Sequence, residues 1–277
     1  MKKLFKILGI ICAVLAGIGI ILVAIGVVNG GREVVHSDVM NNRLSINLEK
    51  WFDDYDDENM NEVNKDTIIK LSRSQYEIHS LEVKAKYGEV KINQWNEEGF
   101  GIQNDAKSLD AKYEVSDGIL KISVSKRLGI SIHHEGEVNV YIPKDKLNYV
   151  DLSIGAGEMK CSGIDAENFK IDVGAGEGKI EHSQLNNCKI DVGLGEFDIE
   201  STSVNNMDVD CGMGEVKANL DNGYREFDYT LKVGAGEIEL GNEKYEGISQ
   251  SVKLSNGTGR NIDVDCGMGE VKIKFNK

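Results

Sequence analysis

Phe169-Lys170-Ile171-Asp172-Val173-Gly174-Ala175-Gly176-Glu177 is followed, 19 residues on, by Cys188-Lys189-Ile190-Asp191-Val192-Gly193-Leu194-Gly195-Glu196. In both stretches apolar and polar residues alternate up to the first glycine, the period of a strand with one face buried. Outward from this pair, Gly-X-Gly-Glu occurs six times, beginning at Gly155, Gly174, Gly193, Gly212, Gly234 and Gly267. The first four copies are spaced 19 residues apart. A fixed short period of this kind means stacked structural units rather than one conventional core.

Counting from the first glycine of each copy defines the faces. Five residues earlier stand Val150, Phe169, Cys188, Met207, Tyr229 and Ile262; three earlier, Leu152, Ile171, Ile190, Val209, Leu231 and Val264. One earlier stand Ile154, Val173, Val192, Cys211, Val233 and Cys266, and one later Ala156, Ala175, Leu194, Met213, Ala235 and Met268. All are apolar, and alternation assigns all four columns to the inner face of a strand. The apolar positions then move to four and six after the first glycine, as in Met159 and Cys161, Phe197 and Ile199, Val216 and Ala218, Ile238 and Leu240, and Val271 and Ile273. Gly178 and Ile180 are a partial exception.

An odd series has become an even one, so the chain must bend. The bend is expected at the second glycine and the glutamate, with Gly157, Gly176, Gly195, Gly214, Gly236 and Gly269 as corner glycines that reach positive φ. The predicted fold is all-β: a β-solenoid of about 19 residues per coil, each coil ~4.8 Å from the next.

Upstream, alternation begins near Tyr76 and continues through Leu81, Val83, Val90 and Ile92, then Leu120–Val124 and Val138–Ile142. Tyr87-Gly88-Glu89-Val90-Lys91-Ile92 echoes Gly269-Glu270-Val271-Lys272-Ile273, so degenerate coils are expected over 76–147 and regular ones over 148–277. Residues 29–75 are expected to form a tether, with the acidic cluster Asp53 to Glu58 as a solvated loop. EF-hand spacing is absent there.

Ile7–Val28 is a run of 22 residues without a charge, about 33 Å long as a helix and enough to cross a bilayer core. Lys2, Lys3 and Lys6 precede it, so residues 1–6 are expected in the cytoplasm and the remainder outside the cell. A cleaved signal peptide is the competing reading; the run exceeds the usual h-region and no clear cleavage site follows it.

A net charge of −14 disfavours nucleic acid and suits cationic partners. The candidate site is a pair of acidic columns. Glu158, Glu177, Glu196, Glu215, Glu237 and Glu270 stack along one corner, and Asp172, Asp191, Asp210 and Asp265 form a second column, interrupted by Ser153 and Lys232. Like charges one coil apart repel by about 1 kcal/mol even in water. Either each glutamate accepts backbone amides at its corner, or the columns hold shared cations or a basic peptide. Calcium is the one cofactor such a row suggests.

No catalytic residues emerge, because the acidic spacing is architectural and no nucleophile–base pair can be argued. His133 and His134, beside Glu135 and Glu137, offer only a weak metal motif. Cys211 and Cys266 share a column in coils four and six, two strand spacings apart and beyond disulfide reach. They are expected to be unpaired core residues, as are Cys161 and Cys188. The last strand, Val271–Phe275, is expected at the end of the stack, where Lys272 and Lys274 oppose self-association through that edge.

The alternating run Leu81–Ile92, the strand Ile119–Val124, the segment Val140-Tyr141-Ile142-Pro143 and the Gly-X-Gly-Glu coils together resemble the bacterial adhesin-like family of unknown function also called Toastrack domains. The resemblance covers about residues 76–277. It implies a right-handed single-stranded β-solenoid, without family catalytic residues, working in ligand sensing or surface assembly. Members with one N-terminal transmembrane helix are associated with envelope-stress systems such as Lia. The resulting expectation is a non-enzymatic, membrane-anchored extracellular binding or assembly module. The alternative is an adhesin-like structural protein that assembles through its ends.

Overall fold

The computed structural model describes residues 60–65, 67–127 and 136–277. The apolar run 7–28, the acidic cluster at 53–58 and the pair His133–His134 lie outside these residues. Among the described residues, beyond two single helical turns, one of them α1 (Arg73–Tyr76), the regular structure is strand. In chain order come β1 (Asn61–Glu62), β2 (Ile68–Leu71), β3 (Ser80–Gln94), β4 (Phe100–Asn104), β5 (Leu109–Ser116), β6 (Ile119–Lys126) and β7 (Val138–Ile142). The repeat region holds β8 (Leu147–Ser162), β9 (Asp165–Val173), β10 (Glu177–Glu181), β11 (Gln184–Val192), β12 (Glu196–Cys211) and β13 (Glu215–Leu220). It closes with β14 (Asp228–Val233), β15 (Glu237–Leu240), β16 (Glu243–Glu246), β17 (Gln250–Leu254), β18 (Asn261–Cys266) and β19 (Glu270–Phe275).

The 19-residue period is a hydrogen-bonding register. Asp172 lies opposite Asp191 and Asp191 opposite Asp210; Glu158 lies opposite Glu177 and Glu177 opposite Glu196. All these ladders are parallel, so equal positions of successive copies share a column. The degenerate early copy follows the same rule: Gly88 pairs with Gly157 and Glu89 with Glu158. Residues 60–65 and 67–71, assigned above to the tether, pack onto the sheet. β1 pairs with β5, β2 with β4, and Met60, Val63 and Leu71 are buried.

The columns five, three and one residues before the first glycine are buried throughout, as are those four and six after it, including the glycine at 178 that lacks a side chain. A Cβ on Gly178 would lie 2.6 Å from the Phe197 ring of the adjoining copy, so that ring fills the missing side chain's space. The column one residue after the first glycine is not buried. Ala156, Ala175, Ala235 and Met268 are exposed, and Leu194 and Met213 are half-buried. The bend therefore takes in the whole Gly-X-Gly tripeptide, and the glutamate is already the first residue of the next strand in the copies beginning at Gly174, Gly193, Gly212, Gly234 and Gly267.

Backbone conformation explains little of the glycine requirement, since Gly157 alone among the motif glycines has positive φ, at 141°. Crowding between copies explains the rest. A Cβ at Gly195 would sit 2.0 Å from the Gly176 carbonyl oxygen, and one at Gly214 would sit 2.3 Å from that of Gly195. The first glycines meet the same obstacle at greater range: Gly212 would place a Cβ 2.9 Å from the Gly193 oxygen, and Gly267 one 2.8 Å from that of Gly212.

A second corner, invisible in the glycine pattern, is built from polar side chains. Ser183 Oγ accepts the Ile164 N–H, Thr202 Oγ1 the Ser183 N–H and Asn222 Oδ1 the Val204 N–H, at 3.0, 3.4 and 2.8 Å. All three side chains are buried, and each takes up an amide that the turn would otherwise leave unpaired.

The copies do not stack in chain order. β18 and β19 lie between the copy at Gly212 and the copy at Gly234, with β18 paired to β12 on one side and β14 on the other, and β19 paired to β13 and β15. Asp208–Lys217 and Asp263–Lys272 are the same ten residues, and the two stretches lie side by side in register. Two expectations fall with this order. Val271–Phe275 is an interior strand, and Cys211 lies directly opposite Cys266 rather than two spacings away.

Antiparallel strands cover both ends instead. β5 lies on β6 and β4 on β7; at the other end β16 lies on β15 and β17 on β14. Asp228 holds the loop that carries the chain back inward. Its carboxylate accepts Ser255 Oγ–H at 2.8 Å and the N–H groups of Asn256, Gly257, Thr258 and Gly259 at 2.6–3.1 Å. These donors, Ser255 first and then the glycine amides, hold the Asp228 carboxyl well below the usual carboxylate range.

Candidate functional site

The residues singled out by sequence form three adjacent columns around the Gly-X-Gly corner. The glutamate column runs Glu89, Glu158, Glu177, Glu196, Glu215, Glu270, Glu237. The aspartate column runs Ser153, Asp172, Asp191, Asp210, Asp265, Lys232. Between them the X residues form an outward apolar ridge.

The glutamates do not accept the corner amides. Those amides continue the backbone ladder: Glu196 N–H donates to Gly176 O at 3.1 Å, Glu215 N–H to Gly195 O at 3.0 Å, and Glu270 N–H to Gly214 O at 3.0 Å. Lysines two residues further along the strand offset the repulsion. Lys160 meets Glu158 at 2.6 Å, Lys217 meets Glu215 at 2.9 Å, and Lys272 meets both Glu270 and Glu215 at 2.7 and 3.3 Å. Lys244 of β16 meets Glu237 at 2.7 Å. Burial works against the Glu215 charge, yet hydrogen bonds from Lys217 and Lys272 hold its carboxyl below the ordinary value.

In the lysine column, Lys179 and Lys217 are neighbours of Asp198. The strand segment Glu196–Glu200 thus turns out three carboxylates and no lysine, and Asp198 has one buried oxygen, Oδ1, without a hydrogen-bond partner. Glu177 and Glu196, both exposed, flank Ala175 and Leu194 of the ridge. The middle of the stack therefore carries the most negative part of this face.

The aspartate column is enclosed at Asp172 and Asp191 and open at Asp210. Asp172 is buried, bridged to Lys170, and Lys189 lies 3.7–3.9 Å from Asp191, Asp208 and Asp210. Burial, then a hydrogen bond with Asp172, pushes the Asp191 carboxyl up to about 7 against the pull of Lys189. Asp191 thus keeps its proton into the neutral range. Outside these columns an asparagine ladder joins Asn168, Asn187 and Asn206 through amide bonds of 3.1 Å. The amides were legible as N at equal repeat positions but were not singled out from the sequence.

Among the described residues, no group of three or more His, Cys, Asp or Glu side chains is placed to hold a metal ion. The acidic columns offer one carboxylate per copy, spread along the stack, with lysines interleaved. Such a surface can present repeated charge and apolar contact to an extended partner; it does not converge on one reacting atom.

Comparison with known proteins follows the fold. A family model described as Toastrack DUF4097 matches residues 28–274. Among solved structures, a candidate cell adhesion protein from Clostridium sporogenes is similar, with 21% identity, a TM-score of 0.45, and coverage of 78% of this chain and 100% of its own. A candidate adhesin from Bacteroides fragilis shares 12% identity at a TM-score of 0.39, covering 75% of this chain and 97% of its own. Among curated proteins, none matches.

Proposed function

This chain belongs to the Toastrack DUF4097 family, and we propose that it is a non-catalytic display surface for an extended cationic partner. The observation that carries this is the apolar ridge Ala156, Ala175, Leu194, Met213, Met268 and Ala235, bordered on both sides by carboxylate columns. A basic amphipathic peptide of the cell envelope fits such a surface: its apolar residues meet the ridge and its basic residues Glu177, Glu196 and Asp198. Calcium is the second cation to consider along the same columns.

We infer further that the parallel stack is a single-stranded β-solenoid, right-handed by family resemblance. The run 7–28 would anchor it in the membrane, with the repeat domain outside the cell. Among the described residues no helix is long and apolar enough to cross a membrane; residues 7–28 are not among them. A role in envelope-stress sensing fits this placement. The adhesin-like reading, in which ends associate, is second because both terminal sheets carry charged antiparallel strands such as Glu243–Glu246.

The test is a calorimetric titration of the full chain with a basic antimicrobial peptide and, separately, with calcium, accompanied by thermal melts. A partner of the native state raises the midpoint. The double substitution Glu177→Gln and Glu196→Gln should weaken peptide binding at least tenfold while leaving the fold intact. Absence of heat and of any midpoint change with both ligands would remove the proposal.

A further inference from the structure

Cys211 and Cys266 are set apart from the other thiols by the out-of-order stacking. Cys161 lies opposite Ile92 and Ile180, and Cys188 lies opposite Phe169 and Met207. Cys211 and Cys266 instead face one another across the ladder between β12 and β18. Parallel neighbours in register have Cα atoms ~4.8 Å apart, inside the window of ~4.4–6.8 Å that a disulfide spans. Both side chains point into the core and both are free thiols.

The Cys211 sulfur leans towards the copy that holds Cys266. The Cys266 sulfur lies 3.7 Å from Glu237 O on the far side, so a χ1 rotation of Cys266 is needed to join them. Cys211 Sγ lies 3.3 Å from Gly214 O and 4.0 Å from Glu270 O, and the second oxygen belongs to the same copy as Cys266. The glycine at 269 leaves room for this, because a Cβ there would sit 2.8 Å from Cys211 Sγ. The neighbouring thiol raises Cys211 and lowers Cys266, whereas burial raises Cys161 and Cys188.

We propose that Cys211 and Cys266 are a disulfide-forming pair that fastens the inserted C-terminal copy to the body of the stack. Oxidation breaks both S–H bonds and forms one S–S bond. The two electrons and two protons pass to a disulfide oxidant, which leaves as two thiols. Because the pair is buried, exchange takes place before β18 and β19 insert or while they are displaced, when Cys211 lies on an open strand edge. Once formed, the bond closes the segment from 211 to 266, which contains β13 to β17, and keeps β18 between β12 and β14. The same ten residues on either side of the bond make the pairing register unambiguous, since only the in-register alignment puts sulfur opposite sulfur.

The test is to unfold the full chain in urea with reductant and refold it in a mixture of reduced and oxidised glutathione, then alkylate and digest it for mass spectrometry. A linked pair of peptides carrying Cys211 and Cys266 is expected, with Cys161 and Cys188 recovered as alkylated thiols. The oxidised chain should melt about 10 °C above the reduced chain, and hydrogen exchange over 261–275 should slow. Cys266→Ala should fold and lose the difference between oxidised and reduced melts. Recovery of both cysteines as free thiols after refolding in oxidised glutathione would overturn the proposal, as would linkage of either one preferentially to Cys161 or Cys188.

Discussion

At the level of single residues, the glycines and the aspartates answer to different physics. Gly195 is required because its neighbour's carbonyl occupies the place of a side chain. Gly195→Ala should therefore destabilise the protein by about 3 kcal/mol, read from urea unfolding. Ala175 lies two residues from the next glutamate but faces solvent. Ala175→Lys should stay within about 0.5 kcal/mol of the parent, and a large loss in the same assay would return that column to the core.

Asp191 gives a pH signature. Its carboxyl stands near 7 in the folded chain against an ordinary 3.8. The folded state thus binds its proton more tightly, and the stabilising contribution is complete below pH 3.8 and lost as pH rises through about 7. Melting midpoints from pH 5 to 8 should fall more steeply for the parent than for Asp191→Asn, and parallel curves would contradict the raised Asp191 carboxyl. Asp228 works in the opposite sense. Its depressed carboxyl contributes above pH 3.8 and loses that contribution as pH falls through its folded value.

Among the elements, the strands were legible and their order was not. Period-two alternation located the buried positions flanking each Gly-X-Gly corner, because a strand with one wet face leaves that imprint whatever its neighbours are. It passed over Phe100, Ile102, Ile164, Leu185 and Val204. Alternation is silent on where a corner begins inside Gly-X-Gly: an apolar X residue such as Leu194 reads the same on an outward ridge as on an inner face. Nor could local pattern distinguish the copy at Gly212 from the one at Gly267, whose ten central residues are identical. That identity was itself a signal, since like strands stack well in register. The polar second corner escaped notice because Ser183, Thr202 and Asn222 differ in type while doing the same work. The loop behind the inserted strands depends on Asp228, so Asp228→Asn should quicken amide exchange at Asn256 to Gly259. Unchanged protection there would mean that the loop is held by something else.

For the molecule as a whole, the candidate site was half visible from sequence. The two acidic columns stand at the positions their spacing implies, but the interleaved lysines, which decide where negative charge survives, become meaningful only once the register is known. The ends follow a separate rule. Antiparallel strands cover them, and the exposed charges of β16 guard the outermost edge there. Replacing both Glu243 and Glu246 with valine should produce concentration-dependent association in sedimentation velocity, while a monomer at all concentrations would show that the edge is protected otherwise.

The inserted copy has a consequence for biosynthesis. In a stack laid down in chain order, a prematurely stopped chain would merely be shorter. Here a chain that stops before Asn261 lacks an interior layer, leaving β12–β13 and β14–β15 with facing, unsatisfied edges. Pairing Gly212 with Gly267 also spans 55 residues where the regular copies span 19, which delays closure until late in folding. The architecture thus makes completion of the chain a condition of its stability, and incomplete products are marked for quality-control proteases by their own open edges.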